Sequence, residues 1–378
     1  MAKATDYAQQ IIDLYANLQQ QIFSLLINAL KASKFKEIDA TNVMQWQLEQ
    51  LSKAGMLTKQ VIAIVAKANS KSTKYVEQMC QQLSLQSINQ TQNEIAKNTT
   101  HTGNITPESN QLIKSYISQT NNYLFNNVNE SLLSRNIQNN VATRVFRDIV
   151  TKSTLEVTIG LKSHEKAVAD NTYRWVQNGI PTKLTDKAGK GWSIDSYSRL
   201  VVENTSNRVF NDLRNKTMNA NGLTLAVMSW HPCARPACAP IQGHIVNTVP
   251  TNDPRYNGKY DSIYNHGYGD PGGFQGINCK HILTPFDPDV NIFHKDPNLP
   301  TPEQAVKQGR VQQKQRALER AIRQQKAKLW SANKFSDSST ASSCKTTIAN
   351  QQSKLRDLVK SHDYLVRDYS REQVRRQK

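Results

Sequence analysis

SWHPCARPACAPIQGHIVNTVP (229–250) and YGDPGGFQGINCKHILTPF (268–286) decide how this chain is read. The span they bracket holds three of the five cysteines, Cys233, Cys238 and Cys279, and four of the eight histidines, His231, His244, His266 and His281. Residues 221–300 carry 10 of the 13 prolines and 8 of the 15 glycines, so turns are concentrated there and long helices are excluded. Three short apolar, β-prone runs lie between those turns: LTLAVMSW (223–230), HIVNTV (244–249) and KHILTPF (280–286). A small sheet with long loops is the natural reading.

Outward from this segment the period changes to that of helices. Ile11, Tyr15, Leu18, Ile22, Leu26 and Leu30 recur in steps of three or four, which argues an amphipathic helix over 5–33. Residues 43–85 read as shorter helices with a turn at Ala54-Gly55 and a cap at Thr58. Within them, 57–76 has the outline of a helix-turn-helix, set against a plain helical hairpin. The Asn/Thr/Gln-rich stretch 86–110 reads as a linker, helical patterning fills 110–180, and 185–192 reads as a turn before a helix at 193–218. After Pro300, Thr301-Pro302-Glu303-Gln304 supplies an N-cap, a first-turn proline and a capping-box glutamine. Leu318, Ile322 and Leu329 mark a narrow apolar stripe, SANKFSDSSTASS (331–343) reads as a hinge, and a second basic helix follows with Ile348, Leu355 and Leu358 inward.

The fold class expected is therefore α+β: predominantly long α-helices around a small Pro/Gly-rich, β-containing core near 221–290. Four consecutive regions follow: an N-terminal helical region (1–95), a helical middle region (96–220), a compact core with the Cys/His motif (221–300) and a basic helical tail (301–378) hinged at 331–343.

At 378 residues a sizeable core is within reach, yet the hydrophobic fraction is 38% and mean hydropathy −0.62. That balance fits elongated helices buried against other subunits better than an ordinary globular enzyme. No run approaches the ~18 apolar residues of a membrane span, and MAKATDYAQQ has no apolar signal-peptide core. Five scattered cysteines do not make a disulfide framework. Of the formal net charge of +18, residues 301–378 carry +11 (18 Lys+Arg against 7 Asp+Glu) and residues 221–300 carry −1 (5 against 6). The basic field belongs to the helices, which suits nucleic acid or an acidic protein surface.

The chemistry-bearing residues leave alternatives open. Cys238, Cys279, His281 and His231 are soft or borderline ligands of the kind that four-coordinate zinc wants, whereas thiols and imidazoles in a small sheet also serve as packed core. If 278–284 is a strand, Cys279 and His281 share one face and could form a nucleophile pair, but no oxyanion-hole motif accompanies them. His231, His244, His266 or His281 with Arg235 could equip a nuclease. Walker-type and dinucleotide-binding glycine motifs are absent. Lys307, Arg310, Lys314, Arg316, Arg320, Arg323, Lys326 and Lys328 crowd one helix; they offer either phosphate contact or a solvated face.

W-H-P-C-A-R-P-A-C-A-P-I-Q-G-H (230–244) followed by G-I-N-C-K-H (276–281) resembles the phage minor capsid protein 2 family, akin to the Mu F-like head morphogenesis proteins of tailed phages. The helix QGRVQQKQRALERAIRQQKAK (308–328) and the ending RDYSREQV (367–374) agree with that pattern. The matching positions are His231, Ala234, Arg235, Pro236, Gln242, Gly243, Gly276, Asn278, Cys279 and His281. Cys238 stands where the family more often has His, Cys233 where it has a small residue, and Lys280 where Arg is common. The resemblance implies a structural, non-catalytic role as a minor head protein, made in the bacterial host cytoplasm and incorporated in the virion. It implies portal and capsid proteins as partners, double-stranded DNA along the C-terminal helices, and assistance in head assembly, DNA packaging or DNA delivery. No resident cofactor is expected, with zinc the alternative; a phage-borne nuclease or a non-specific DNA-binding protein is the alternative function.

Overall fold

The computed structural model describes residues 4–98, 107–185, 189 and 191–374. The chain is α+β and mostly helical, as expected. In order it forms α1 (Ala4–Lys31), α2 (Val43–Ser52), α3 (Ala54–Asn98), α4 (Pro107–Leu124), a π-helical turn (Phe125–Asn129), α5 (Glu130–Leu133), α6 (Val141–Thr158) and α7 (His164–Asn178). Then follow β1 (Pro181–Thr185), β2 (Gly191–Ser193), α8 (Ile194–Ala220), β3 (Leu225–Met228), β4 (Ile245–Asn247), β5 (Leu283–Pro285), α9 (Pro302–Phe335) and α10 (Ser338–Lys360).

Two compact units emerge, each drawn from three stretches. The first combines Met1–Gln9, Tyr75–Asn121 and Leu200–Gln315; the second combines Gln10–Lys74, Asn122–Arg199 and Arg316–Lys378. Every division between them falls inside a helix, so these units cut across the consecutive regions read from composition.

In the first unit β3 is the centre of a three-stranded antiparallel sheet, β4-β3-β5, with Ala226 opposite both Val246 and Pro285. All three β-prone runs therefore become strands. Their inward side chains, Ala226, Met228, Val246 and Leu283, pack with Met218, Ile263, Phe274 and Ala305 into one core. Arg214 on α8 is buried among them. It donates through Nε to the Leu283 carbonyl, through a terminal nitrogen to Glu94, and through the other to Thr91 Oγ1 at 3.3 Å, so a full charge is paired inside the unit. α9 opens with the reciprocal capping box the sequence encodes: Gln304 N–H to Thr301 Oγ1 at 3.2 Å and Thr301 N–H to Gln304 Oε1 at 2.9 Å.

Among its described residues, the β1–β2 pair supplies the strands of the second unit and helices the rest of its regular structure. Ile11, Tyr15, Leu18, Ile22, Leu26 and Leu30 are all buried, confirming the stripe of α1. Asn129, at the end of the π-helical turn, is buried and donates through Nδ2 to the Tyr15 hydroxyl at 3.1 Å and Asn69 Oδ1 at 2.8 Å, so the amide nitrogen ties the local widening to α1 and α3. α9 and α10 pack through Ile322, Ile348 and Leu355 with Leu318, Leu329 and Val359; Val359, not the expected Leu358, completes that stripe.

Several sequence expectations give way. The helix-turn-helix outline at 57–76 is uninterrupted helix, and the linker expected at 86–110 is still α3 as far as Asn98; residues 99–106 lie outside the described residues. Thr58 is no cap: its hydroxyl bonds the Ala54 carbonyl and Thr143 within the second unit. The hinge at 331–343 shrinks to Ser336 and Asp337, where Ser336 adopts φ +59° and Asp337 caps α10 by accepting the Thr340 N–H at 2.9 Å. The expected turn at 185–192 sits inside the β1–β2 hairpin, with residues 186–188 and 190 outside the described residues.

Candidate thiol–imidazole site

The loops that follow β3 and precede β5 converge beside the sheet of the first unit. Cys238 lies in a helical turn whose N–H groups return to Arg235 (Cys238 and Ala239, 3.0 and 2.9 Å) and whose carbonyl receives Gln242 N–H at 3.0 Å. Cys279 sits at the end of a tight turn, Cys279 N–H to Gly276 O at 3.0 Å. Asn278 just before it takes φ +61°, a conformation asparagine tolerates, and its N–H is received by Asn204 Oδ1 at 2.8 Å.

These turns bring Cys238, Cys279 and His281 together, with their ligand atoms all within 4.8 Å of one another. Cys238 Sγ stands 3.9 Å from Cys279 Sγ, and Cys279 Sγ 3.4 Å from His281 Nδ1. All three are buried: 0%, 5% and 4% exposed, in the order given. The grouping does not arise as the sequence suggested. Had 278–284 been a strand, Cys279 and His281 would have shared one face, but β5 begins only at Leu283, so sheet pleating does not set their approach.

Gln242 organises the cluster. Its Oε1 receives the backbone N–H of His231 at 3.0 Å and lies 3.2 Å from His281 Nε2. The rings of His231 and His281 lie 4.7 Å apart, and His231 Nε2 is 3.2 Å from the Lys280 carbonyl. Burial, and then the neighbouring His281, hold His231 below the ordinary imidazole range. The two thiols are driven apart. Cys279 falls well below the usual thiol range through its contact with the Cys238 thiol and then through His281 beside it, and Cys238 rises through the same contact and through burial. Elsewhere burial alone pushes the Cys80 thiol up to about 12, the behaviour of an inert core thiol.

The remaining motif residues shape the walls. Arg235 donates to the carbonyls of Pro271 and Ile277, tying the cysteine turn to the glycine-rich loop. Gly243 adopts φ +70°, and a Cβ there would lie 2.6 Å from the Leu299 side chain. At Gly276 a Cβ would fall 1.9 Å from the Asp270 carbonyl oxygen, so no larger residue fits. Ala234 is buried in the core, and Pro236 lines a groove with Val306, Lys307 and Arg310. Of the residues considered for a nuclease, His231 and His281 come together, while the others are engaged locally. His266 Nε2 pairs with Asp261 at 2.7 Å, His244 Nδ1 lies 2.9 Å from the Gln242 carbonyl, and Arg235 is held by its own loops.

The eight basic residues of α9 divide. In the first unit Lys307, Arg310 and Lys314 are exposed. In the second unit Arg316 pairs with Glu319 at 2.9 Å, Arg323 stands 3.6 Å from Asp195 and donates to the Arg371 carbonyl, and Lys326 donates to Gln373. Lys328 lies over the Tyr173 ring at 5.7 Å, while Arg320 is exposed. The ending 367–374 accounts for much of this pairing. Glu372 is buried under two hydrogen bonds from Arg367, at 2.6 and 2.8 Å.

Against known proteins, the sequence profile described as phage minor capsid protein 2 matches residues 2–360. A "Structural protein" of Lactococcus phage LL-H is 42% identical over 366 residues, 95% of this chain and 97% of the relative. A "Structural protein" of Lactococcus phage mv4 is 38% identical over 125 residues, 32% of this chain and 98% of the relative. No solved structure matches. With the profile spanning nearly the whole chain and a relative this similar end to end, the chain belongs to the phage minor capsid protein 2 family, a family of phage structural proteins.

Proposed function

We propose that this chain is a non-catalytic minor component of the phage head, placed beside the portal, where it touches double-stranded DNA during packaging or delivery. The portal placement comes from the family resemblance. The observation that carries the DNA contact is the exposed row Lys307, Arg310 and Lys314 on α9. Steps of three and four residues put those cations on one helix face, a spacing that can meet successive phosphates without reading bases. Few aromatics interleave them, so stacking on single strands is not favoured.

A non-catalytic role is supported by what the reactive residues do. Cys238, Cys279 and His281 are buried, and His244, His266 and Arg235 are engaged by their own loops. The test is to purify phage particles and proheads, quantify this chain, and ask whether it co-purifies with the portal. Low copy number with the portal is expected; absence from particles overturns the proposal.

A further inference from the structure

We propose that Cys238 Sγ, Cys279 Sγ and His281 Nδ1 are three ligands of one tetrahedral divalent metal ion of the zinc class, buried in the first unit. The inference stands on the geometry of these residues and does not depend on where the chain sits in the phage.

The distances carry it first. Two thiolates on one tetrahedral zinc, at ~2.3 Å from the metal, stand ~3.8 Å apart, and a thiolate and an imidazole nitrogen stand ~3.6 Å apart. The corresponding separations here are 3.9 Å and 3.4 Å. A disulfide would need the sulfurs at ~2.05 Å.

Proton placement carries it second. Gln242 Oε1 is the acceptor for the His231 backbone N–H, and an amide oxygen cannot donate. The His281 nitrogen 3.2 Å from it must therefore be the protonated one. Of the two neutral tautomers only the Nε2–H form meets this acceptor, and in that form the Nδ1 lone pair faces the sulfurs, as a metal ligand must. A metal-bound histidine commonly has its second nitrogen held in this way.

Charge carries it third. In the bound state Cys238 and Cys279 are both thiolates; any proton still on either sulfur leaves to solvent, and no bond is oxidised or reduced. Two thiolates, a neutral imidazole and a dication sum to zero, which makes a site this buried electrostatically tolerable. Thiolate and imidazole ligands favour zinc over magnesium or calcium, which prefer oxygen.

The test uses the full-length chain, purified under reducing conditions, equilibrated with Zn²⁺ alone, freed of excess and assayed for metal. In parallel, Co²⁺ replaces Zn²⁺ and the absorption spectrum is recorded. One zinc per chain is expected. With cobalt, the expected spectrum has strong visible bands of tetrahedral intensity and a sulfur-to-cobalt charge-transfer band. Cys238→Ser and Cys279→Ser should each remove the charge-transfer intensity of one sulfur, and Gln242→Leu should weaken metal affinity ~10–100-fold. Should a variant fail to fold, the wild-type cobalt spectrum decides alone. A wild-type chain that retains no zinc, or a cobalt complex lacking the sulfur band, overturns the proposal.

Discussion

Gln242 Oε1 is shared by the His231 backbone N–H, at 3.0 Å, and His281 Nε2, at 3.2 Å, so one buried amide oxygen fixes two histidines that lie 50 residues apart in sequence. Replacing it with leucine keeps the volume but leaves both donors without their acceptor. Each unsatisfied buried donor costs about 1–3 kcal/mol. Urea unfolding of Gln242→Leu in metal-free buffer should therefore show a loss of that order; an unchanged midpoint would mean the amide organises nothing.

Arg214 should be irreplaceable by lysine. Its Nε and two terminal nitrogens reach three different acceptors, the Leu283 carbonyl, Thr91 and Glu94, and a single ammonium cannot span them. Breaking a buried pair by removing one partner costs about 3–5 kcal/mol. Arg214→Ala is expected to approach that range in chemical denaturation, with Arg214→Lys recovering only a minor part. Full rescue by lysine would contradict the geometry.

The ending of the chain carries a pH signal. Burial alone would raise the Glu372 carboxyl, but the hydrogen bonds from Arg367 and Gln352 and the charges of Arg367 and Lys326 outweigh it and hold Glu372 below the usual range. A carboxylate depressed in the folded state contributes stability above its unfolded pKa and loses it as pH falls through the folded one. Acid titration of the wild type should thus show a stability loss beginning below pH ~4.3 that Glu372→Gln lacks, the variant being less stable at neutral pH. Coincident acid profiles for the two proteins would rule this out.

The basic residues of α9 should separate by phenotype. Neutralising Lys307, Arg310 and Lys314 to Gln should weaken duplex-DNA binding and flatten its salt dependence by about one unit of slope per lost phosphate contact. Neutralising Arg316 and Arg323, which are paired with Glu319 and Asp195, should instead lower thermal stability. Equal loss of DNA binding from both sets would mean that ion pairing does not decide which cations reach DNA.

Much of this was legible in the sequence, for identifiable reasons. The α1 stripe, the Thr301/Gln304 capping box and the three β-prone runs are local patterns, and all three persist in the structure. The continuity of α3 was hidden because its buried face interleaves Ser72, Ser84, Ser87 and Thr91 with Val61, Val65, Val76, Met79 and Ile88. Ser84 and Thr91 bond carbonyls one turn back along the helix, and Ser87 bonds the Phe210 carbonyl in the first unit. Hydroxyls satisfied in this way can line a buried helix face without registering as hydrophobic. The two-unit division left no compositional trace, since no boundary between the units falls in a loop. At the site, Cys238, Cys279 and His281 could be singled out by residue type. The role of Gln242 could not, because it depends on a hydrogen bond to a residue 39 positions away.

We propose that this chain is a minor component of the head beside the portal. Chemical cross-linking of intact phage particles, followed by mass spectrometry, tests it directly. This chain is expected at low copy, with cross-links to the portal and to the major capsid protein. Particles that lack the chain, or in which it cross-links only to tail proteins, would contradict it.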